Sequence, residues 1–180
     1  MEVFNYLFVC SIYFLLWTLY SYWIHRLAHI PSKRNILFKI HIIHHKAEYG
    51  SPSWPRWQEY FLWYGNWRAS ADVWITLLLP GIVISIFDPL HGLPMLIFIY
   101  CYEVFLAGDV LDHNSKIDGK ITKVFALGQY HLRHHRHVRK NYSFYITLWD
   151  YVFKTHMVKD GKSKKKKVIE SVPVEVPSTD

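Results

Sequence analysis

Three apolar runs divide the chain, and the polar segments between them carry almost all of its charge. Residues 3–24, VFNYLFVCSIYFLLWTLYSYWI, contain no charged side chain. A helix of this length spans a hydrocarbon core of about 30 Å. The chain starts Met-Glu, without a basic leader segment, and no small-residue cleavage site follows the run. The pattern therefore predicts a transmembrane helix over residues 1–24 rather than a cleaved signal. Residues 73–87, VWITLLLPGIVISIF, and 94–108, PMLIFIYCYEVFLAG, flank DPLHGLP, a stretch of turn-forming residues. Each run is short for a full crossing. Either they recruit neighbouring residues to cross, or the hydrophobic hairpin 73–108 dips in and returns. In both cases its two ends emerge on one side.

Charge orients this arrangement. Lys and Arg are absent from 1–25 and from 69–115, whereas seven fall in 26–68 and fourteen follow residue 115. The positive-inside tendency then places the N-terminus and the 88–93 turn outside, and 25–70 and everything from about 109 in the cytosol. The segment 162–167, KSKKKK, is read equally well as a solvated tail or as a contact for anionic lipid. The end, VIESVPVEVPSTD, has no helical period and is expected to be disordered.

Composition agrees with a membrane protein. Apolar residues make up 51% and aromatics 18%, with eight Trp and thirteen Tyr, residues that gather at membrane interfaces. The two cysteines, Cys10 and Cys101, lie in apolar runs and form neither a disulfide framework nor a cysteine zinc site. The net charge of +7 raises nucleic acid as a partner. The membrane-embedded pattern and the few Arg and Lys near 133–140 exclude it.

Twelve histidines change the picture, because they are not scattered. HIIHH at 41–45 and HLRHHRH at 131–137 share the spacing His-x-x-His-His. On a helix, residues i, i+3 and i+4 share a face. His25 and His29 form one stripe, His41, His44 and His45 a second, and His131, His134 and His135 a third. The topology sets all of them, with His113, on one face of the membrane. Imidazole is a common neutral metal ligand, and eight ligands in three stripes are too many for one ion and about right for two. Haem needs only one or two axial histidines and leaves most of the set unexplained. His44 and His45 are about 100° apart on a helix, as are His134 and His135, so each pair reaches two different ions. His137 points about 240° away from His131 and is a secondary candidate. His91 falls on the opposite side and His156 stands alone; neither is expected in the site. The fold expected is all-α: an integral membrane helical protein with a cytosolic, histidine-rich di-metal helical cap.

The order His-x3-His, His-x2-His-His and a late His-x2-His-His resembles the fatty acid hydroxylase and sterol desaturase superfamily of membrane di-iron enzymes. SYWIHRLAHIP is similar to its first box, FKIHIIHHK to its second, and YHLRHHRHVRKNYSFYITLWDYVFKT to its last. His113, in VLDHNSK, sits where the family has a further histidine. The resemblance covers about 20–155. The chain departs from it at Ser143 and Lys154, where the family often has Gly, and in SWPRWQE, where a His-Pro pair is common. The implied organisation is an N-terminal transmembrane helix (1–24), a fatty acid hydroxylase-like catalytic domain (25–158, including hairpin 73–108) and a basic tail (159–180).

The resemblance implies a membrane oxidoreductase that uses O2 to hydroxylate or desaturate an unactivated C–H bond of a lipid. It implies two iron ions on His25, His29, His41, His44, His45, His113, His131, His134 and His135. Zinc fits the same ligands, and is expected in purified protein, but does not change oxidation state. No flavin or nicotinamide fingerprint is present, so electrons come from a donor such as a b-type cytochrome or ferredoxin. A eukaryotic home implies the endoplasmic reticulum. Ligating imidazoles need outer acceptors; the nearest carboxylates are Glu59, Asp109, Asp112 and Asp150, with Asp150 preferred because it lies in the family-like Trp-Asp pair. Glu103 lies within an apolar run, where an ionisable group is expensive. The alternative reading is a non-catalytic membrane protein that binds or transports metal.

Overall fold

A computed structural model describes residues 1–47 and 54–157; the lysine-rich segment and the rest of 159–180 lie outside the described residues. The architecture is all-helical, with only an isolated bridge between Phe125 and Ile146 in place of a sheet among those residues. Helix α1 (Glu2–Ala28) carries the first apolar run and continues without a break through His25. Helix α2 (Ile36–Lys46) follows a short turn. Asn35 closes that turn, its amide donating to the Leu27 and Ile30 carbonyls at 2.8 and 2.9 Å. The Leu27 carbonyl also accepts from the Ile30 N–H at 3.1 Å, so the side chain adds to the backbone turn that ends α1.

Each arm of the hairpin becomes long enough for a full crossing by recruiting neighbours. Its first arm joins α3 (Trp67–Val73), a π-helical turn (Trp74–Leu78) and α4 (Leu79–Phe87) into one largely apolar helix of 21 residues. Its second joins α5 (Pro89–Cys101) to another π-helical turn (Tyr102–Leu106), 18 residues in all. With Glu2–Ala28 the chain has three helices long and apolar enough to cross a membrane.

The first π turn has a local cause. Pro80 lacks an N–H, so the Thr76 carbonyl loses its helical donor. In lipid such a group must be satisfied from within the protein. Side chains of α1 do this: Ser21 Oγ donates to the Thr76 carbonyl at 2.8 Å, Trp17 Nε1 to Leu77 at 2.8 Å and Tyr20 to Ile75 at 3.0 Å. The same bonds lock α1 against the hairpin. At its far end the arms touch closely. A Cβ on Gly92 would collide with the backbone of Ile84 and Ser85, so only glycine admits this approach.

The buried cluster of Trp17, Leu77, Leu78, Met95, Ile99, Tyr102 and Tyr145 sits between these helices and the cap. The cap contains α2, the loop after Leu106, α6 (Gln129–Arg136) and α7 (Leu148–Val152). Gly128 starts α6 at φ 53°, and a Cβ there would strike the Ile117 carbonyl. Lys154, where a glycine was expected from the resemblance, takes φ 57°, a left-handed conformation that glycine adopts without penalty.

Candidate metal centre

The cap draws nine histidines into two adjoining groups: His25, His29, His41, His45 and His134 in one, and His44, His113, His131 and His135 in the other. Within each group the ligand atoms lie within 4.8 Å of one another. The adjacent pairs divide as the 100° helical step requires. His45 and His134 serve the first group while His44 and His135 serve the second. The groups abut, the His45 and His135 rings stacking at 4.3 Å.

Nε2 atoms meet at the centre of each group. In the first they close a ring: His25–His134 2.9 Å, His134–His45 3.1 Å, His45–His41 3.1 Å, His41–His29 3.1 Å and His29–His25 3.3 Å. In the second, His44, His131 and His135 form a triangle with every edge 3.1 Å, and His113 stands 3.1 Å from His135.

Outer partners decide the tautomers. His25 Nδ1 donates to the Tyr142 carbonyl at 2.6 Å, His134 Nδ1 to that of Lys140 at 2.7 Å and His113 Nδ1 to that of Gly108 at 3.2 Å. His41 Nδ1 donates to Asp72 at 2.8 Å. A carbonyl accepts only, so Nδ1 carries the proton of each neutral ring and Nε2 keeps a lone pair. The Nε2 atoms of His25 and His134 thus face each other at 2.9 Å with no proton between them. A cation placed among them converts that repulsion into ligation.

Electrostatics keep the rings neutral. Burial, with neighbouring imidazoles adding to it, lowers His44, His131 and His134 well below the usual range. His45 falls to about 3 and His29 and His135 to about 2, in each case mainly through burial. His113 falls to about 4 for the same reason, its bond to Gly108 opposing. Neutral imidazole is the form that binds metal.

The donor set therefore fits two metal ions. Metal–imidazole bonds are about 2.0–2.1 Å long. Nitrogens at right angles around one ion would then be about 3.0 Å apart, and tetrahedral ones about 3.4 Å. The observed edges of 2.9–3.3 Å fall within the range that ligands of one ion span.

The other sequence candidates fall elsewhere. Asp150 binds none of the nine rings. It accepts from the Tyr142 and Ser143 N–H groups, both at 2.8 Å, and from the Tyr130 and Thr155 hydroxyls at 2.9 and 2.6 Å. It holds the loop that presents the Tyr142 carbonyl to His25, one step behind the ligand. Glu59 pairs with Arg56. Asp112 accepts from Tyr102, and burial pushes its carboxyl up to about 7. Asp109 contacts no imidazole through a described bond. The carboxylate that does is Asp72, which sequence reasoning missed. It also accepts from Thr76, four residues on, at 3.3 Å, so the π turn and the metal centre share one side chain. His137 caps α6 outside both groups, His156 stacks on Tyr151, and His91 lies at the hairpin turn.

A cavity of about 480 Å³ opens beside the second group, with His44, His113 and His131 in its wall. No curated protein and no solved structure matches the chain. The model of the fatty acid hydroxylase family, in contrast, matches residues 10–155, a span holding all nine clustered histidines and the cavity beside them, and the chain belongs to that family.

Proposed function

We propose that this protein is a membrane-bound di-iron oxidoreductase that hydroxylates or desaturates an unactivated C–H bond of a lipid, using O2 and electrons from an external donor. The observation that carries the reading is the pair of adjoining all-imidazole groups, one of them lining a cavity. Two iron ions, when bound there, supply the one-electron and O2 chemistry. Nine imidazoles exceed the four ligands of a closed tetrahedral zinc site, and iron, unlike zinc, changes oxidation state.

The protein's own residues do the rest. His25, His29, His41, His45 and His134 hold one ion, and His44, His113, His131 and His135 the other. The smaller group, beside the cavity, leaves room for a further ligand and faces the substrate. Asp72 and the Tyr142, Lys140 and Gly108 carbonyls fix the rings of His41, His25, His134 and His113 so that their protons point outward. The wall of buried Leu77 and Val104 and half-buried Phe144 keeps bulk water from the reacting carbon. Exposed Arg136 and Arg139 lie on the cap beside α6, where an acidic b-type cytochrome or ferredoxin would dock. The distribution of Lys and Arg supports a cytosolic position for this face, on the endoplasmic reticulum if the cell is eukaryotic.

The test is expression in a lipid-defined host, with mass spectrometry of the lipids and metal analysis of the purified protein. A new hydroxylated or desaturated lipid, reductant-dependent O2 consumption and about two irons per chain are expected. Zinc flux into vesicles without O2 consumption would instead establish the transporter.

A further inference from the structure

Exposed aromatic side chains concentrate between α2 and α3, in WPRWQEYFLWYGNW over residues 54–67. Trp54, Trp57 and Phe61 are 70–80% exposed, and Trp63 and Trp67 are exposed as well. The rings of Trp57 and Phe61 meet edge to face at 6.5 Å. The other side of the same stretch is packed. Leu62 belongs to the buried cluster that holds Leu77, and Tyr60 and Tyr64 lie half-buried against that cluster. The segment is thus amphipathic, and an exposed apolar patch of this kind marks a contact with another molecule or with a membrane.

Its position decides between the two. Tyr100, in α5, donates to the Tyr60 carbonyl at 2.9 Å. Phe105, one residue before the end of the second arm, meets the Trp54 and Tyr60 rings at 6.3 and 5.8 Å. At the other end of the segment, Asn66 accepts from the Ala69 N–H at 2.9 Å and caps the first arm, which Trp67 opens. The stretch is therefore fixed to the cap-side ends of both arms, where crossing helices leave the hydrocarbon. Trp suits that depth, with an apolar body and an N–H that reaches a polar partner. The cations here are already engaged. Arg56 pairs with Glu59 at 2.8 Å, and the Arg68 guanidinium lies 5.4 Å over the Trp67 ring.

We propose that residues 54–63 lie in the plane of the membrane as an aromatic foot, with Trp54, Trp57, Phe61 and Trp63 seated in the headgroup boundary of the cap-side leaflet on zwitterionic phospholipid. The charge pattern alone assigns 25–70 to the cytosol. The foot is a further membrane contact within that stretch, beside the three apolar helices. The strength of an in-plane contact scales with the apolar area it buries plus its attraction to anionic lipid. With Arg56 and Arg68 engaged within the protein, the apolar part carries this one. The inner side of the same segment, through Pro55, Arg56, Glu59 and Tyr64, walls the cavity beside the second histidine group, so the foot fixes that wall against the leaflet.

The test uses the full-length, metal-loaded protein in nanodiscs of phosphatidylcholine, and none of its readouts depends on lipid oxidation. Tryptophan emission is quenched in turn by lipid brominated near the headgroup, by lipid brominated near the chain end and by aqueous iodide. The emission lost on combining Trp54→Phe with Trp57→Phe, taken by difference from the wild type, should be quenched most by the shallow bromines and little by iodide. Phe61→Trp adds a reporter whose extra emission should behave in the same way, and it carries the test alone if the double variant loses its metal. Adding phosphatidylserine should leave the quenching unchanged. Strong quenching by iodide with the bromines silent overturns the proposal and leaves the patch as a surface for a protein partner. Quenching strongest from the chain end overturns it too, because the aromatics would then sit deep in the hydrocarbon. Bromine quenching that appears only with phosphatidylserine overturns the zwitterionic assignment and makes the contact an electrostatic one.

Discussion

The two ends of the helical rods use the same side chains differently. At the hairpin turn, His91 Nδ1 lies 2.8 Å from Asp88, and the same Asp88 oxygen accepts from Tyr13 at 3.0 Å. The His91 ring stacks on Tyr6 at 4.9 Å. Every contact there joins a donor to an acceptor or ring to ring, so the group is complete and ties the turn to α1. At the cap, Asp72 and three carbonyls absorb the Nδ1 protons of His41, His25, His134 and His113, and the ligand nitrogens of nine histidines converge in two groups. The difference lies in where the protons point. A histidine with a satisfied partner is part of the scaffold, while a set whose lone pairs converge is a metal centre awaiting its ions.

The largest effect should come from removing a ring at the junction of the two groups. His45→Ala or His135→Ala deletes one ligand and one face of the 4.3 Å stack between groups. Lipid oxidation should vanish and the metal count should fall below about two ions per chain. Mass spectrometry and metal analysis read the two outcomes. Full activity in both variants, or an unchanged count, would place the cap alongside His91 as mere scaffold.

Asp72→Asn should act less severely. The amide still fills the space but no longer carries the charge that orients His41. Loss of such an outer partner typically lowers metal affinity or activity about 10- to 100-fold. Competition with a chelator measures it. Asp150→Asn, acting through the Tyr142 backbone, should weaken folding of the 141–155 loop more than it weakens the metal.

How much of this was legible in the sequence follows from what each signal depends on. The histidine stripes were readable because i, i+3 and i+4 spacing is a property of one helix. The split of His44 from His45 followed from the same geometry. The hairpin was readable from composition, but the apolar pattern leaves open whether its arms recruit neighbours or turn back early. Proline normally ends a helix, and nothing local announces that Ser21 and Trp17 will pair the carbonyls around Pro80. Asp72 was missed for a related reason. It lies at the head of an apolar run, 31 positions from His41, and only the packing of α3 against α2 joins them. Asp150 was preferred on resemblance, and its true contacts are with backbone N–H groups that sequence spacing does not reveal.

The cap should also respond to acid once its metal is stripped. Free imidazole titrates near 6.5. In the folded cap His113 is held at about 4, His45 at about 3 and His29 and His135 at about 2. Below about 6.5 the unfolded chain therefore binds protons that the folded cap refuses, and stability falls with pH. The loss begins near 6.5 and continues through the interval from about 4 to about 2, where the folded rings finally protonate. Thermal melts of chelator-treated protein in detergent should show the midpoint dropping steadily between pH 7 and pH 4. A flat profile would mean that the rings are not buried as a neutral set.

The smallest effect is expected from His91→Ala. The substitution removes a bond to Asp88 and a stacking contact with Tyr6, both at the far end of the rods from the cap. The close approach at Gly92 and the bonds from Ser21, Trp17 and Tyr20 to the hairpin remain. The hairpin thus stays docked, and the metal count and lipid product should match those of the wild-type protein, with only a slight drop in melting temperature. The comparison is sharpened by labelling single cysteines at positions 50 and 90 from each side of sealed vesicles. The two should react from opposite sides, because the hairpin turn and the cap lie at opposite ends of crossing helices. Labelling of both from one side, or loss of lipid oxidation in His91→Ala, would show that the two ends share a compartment and a function.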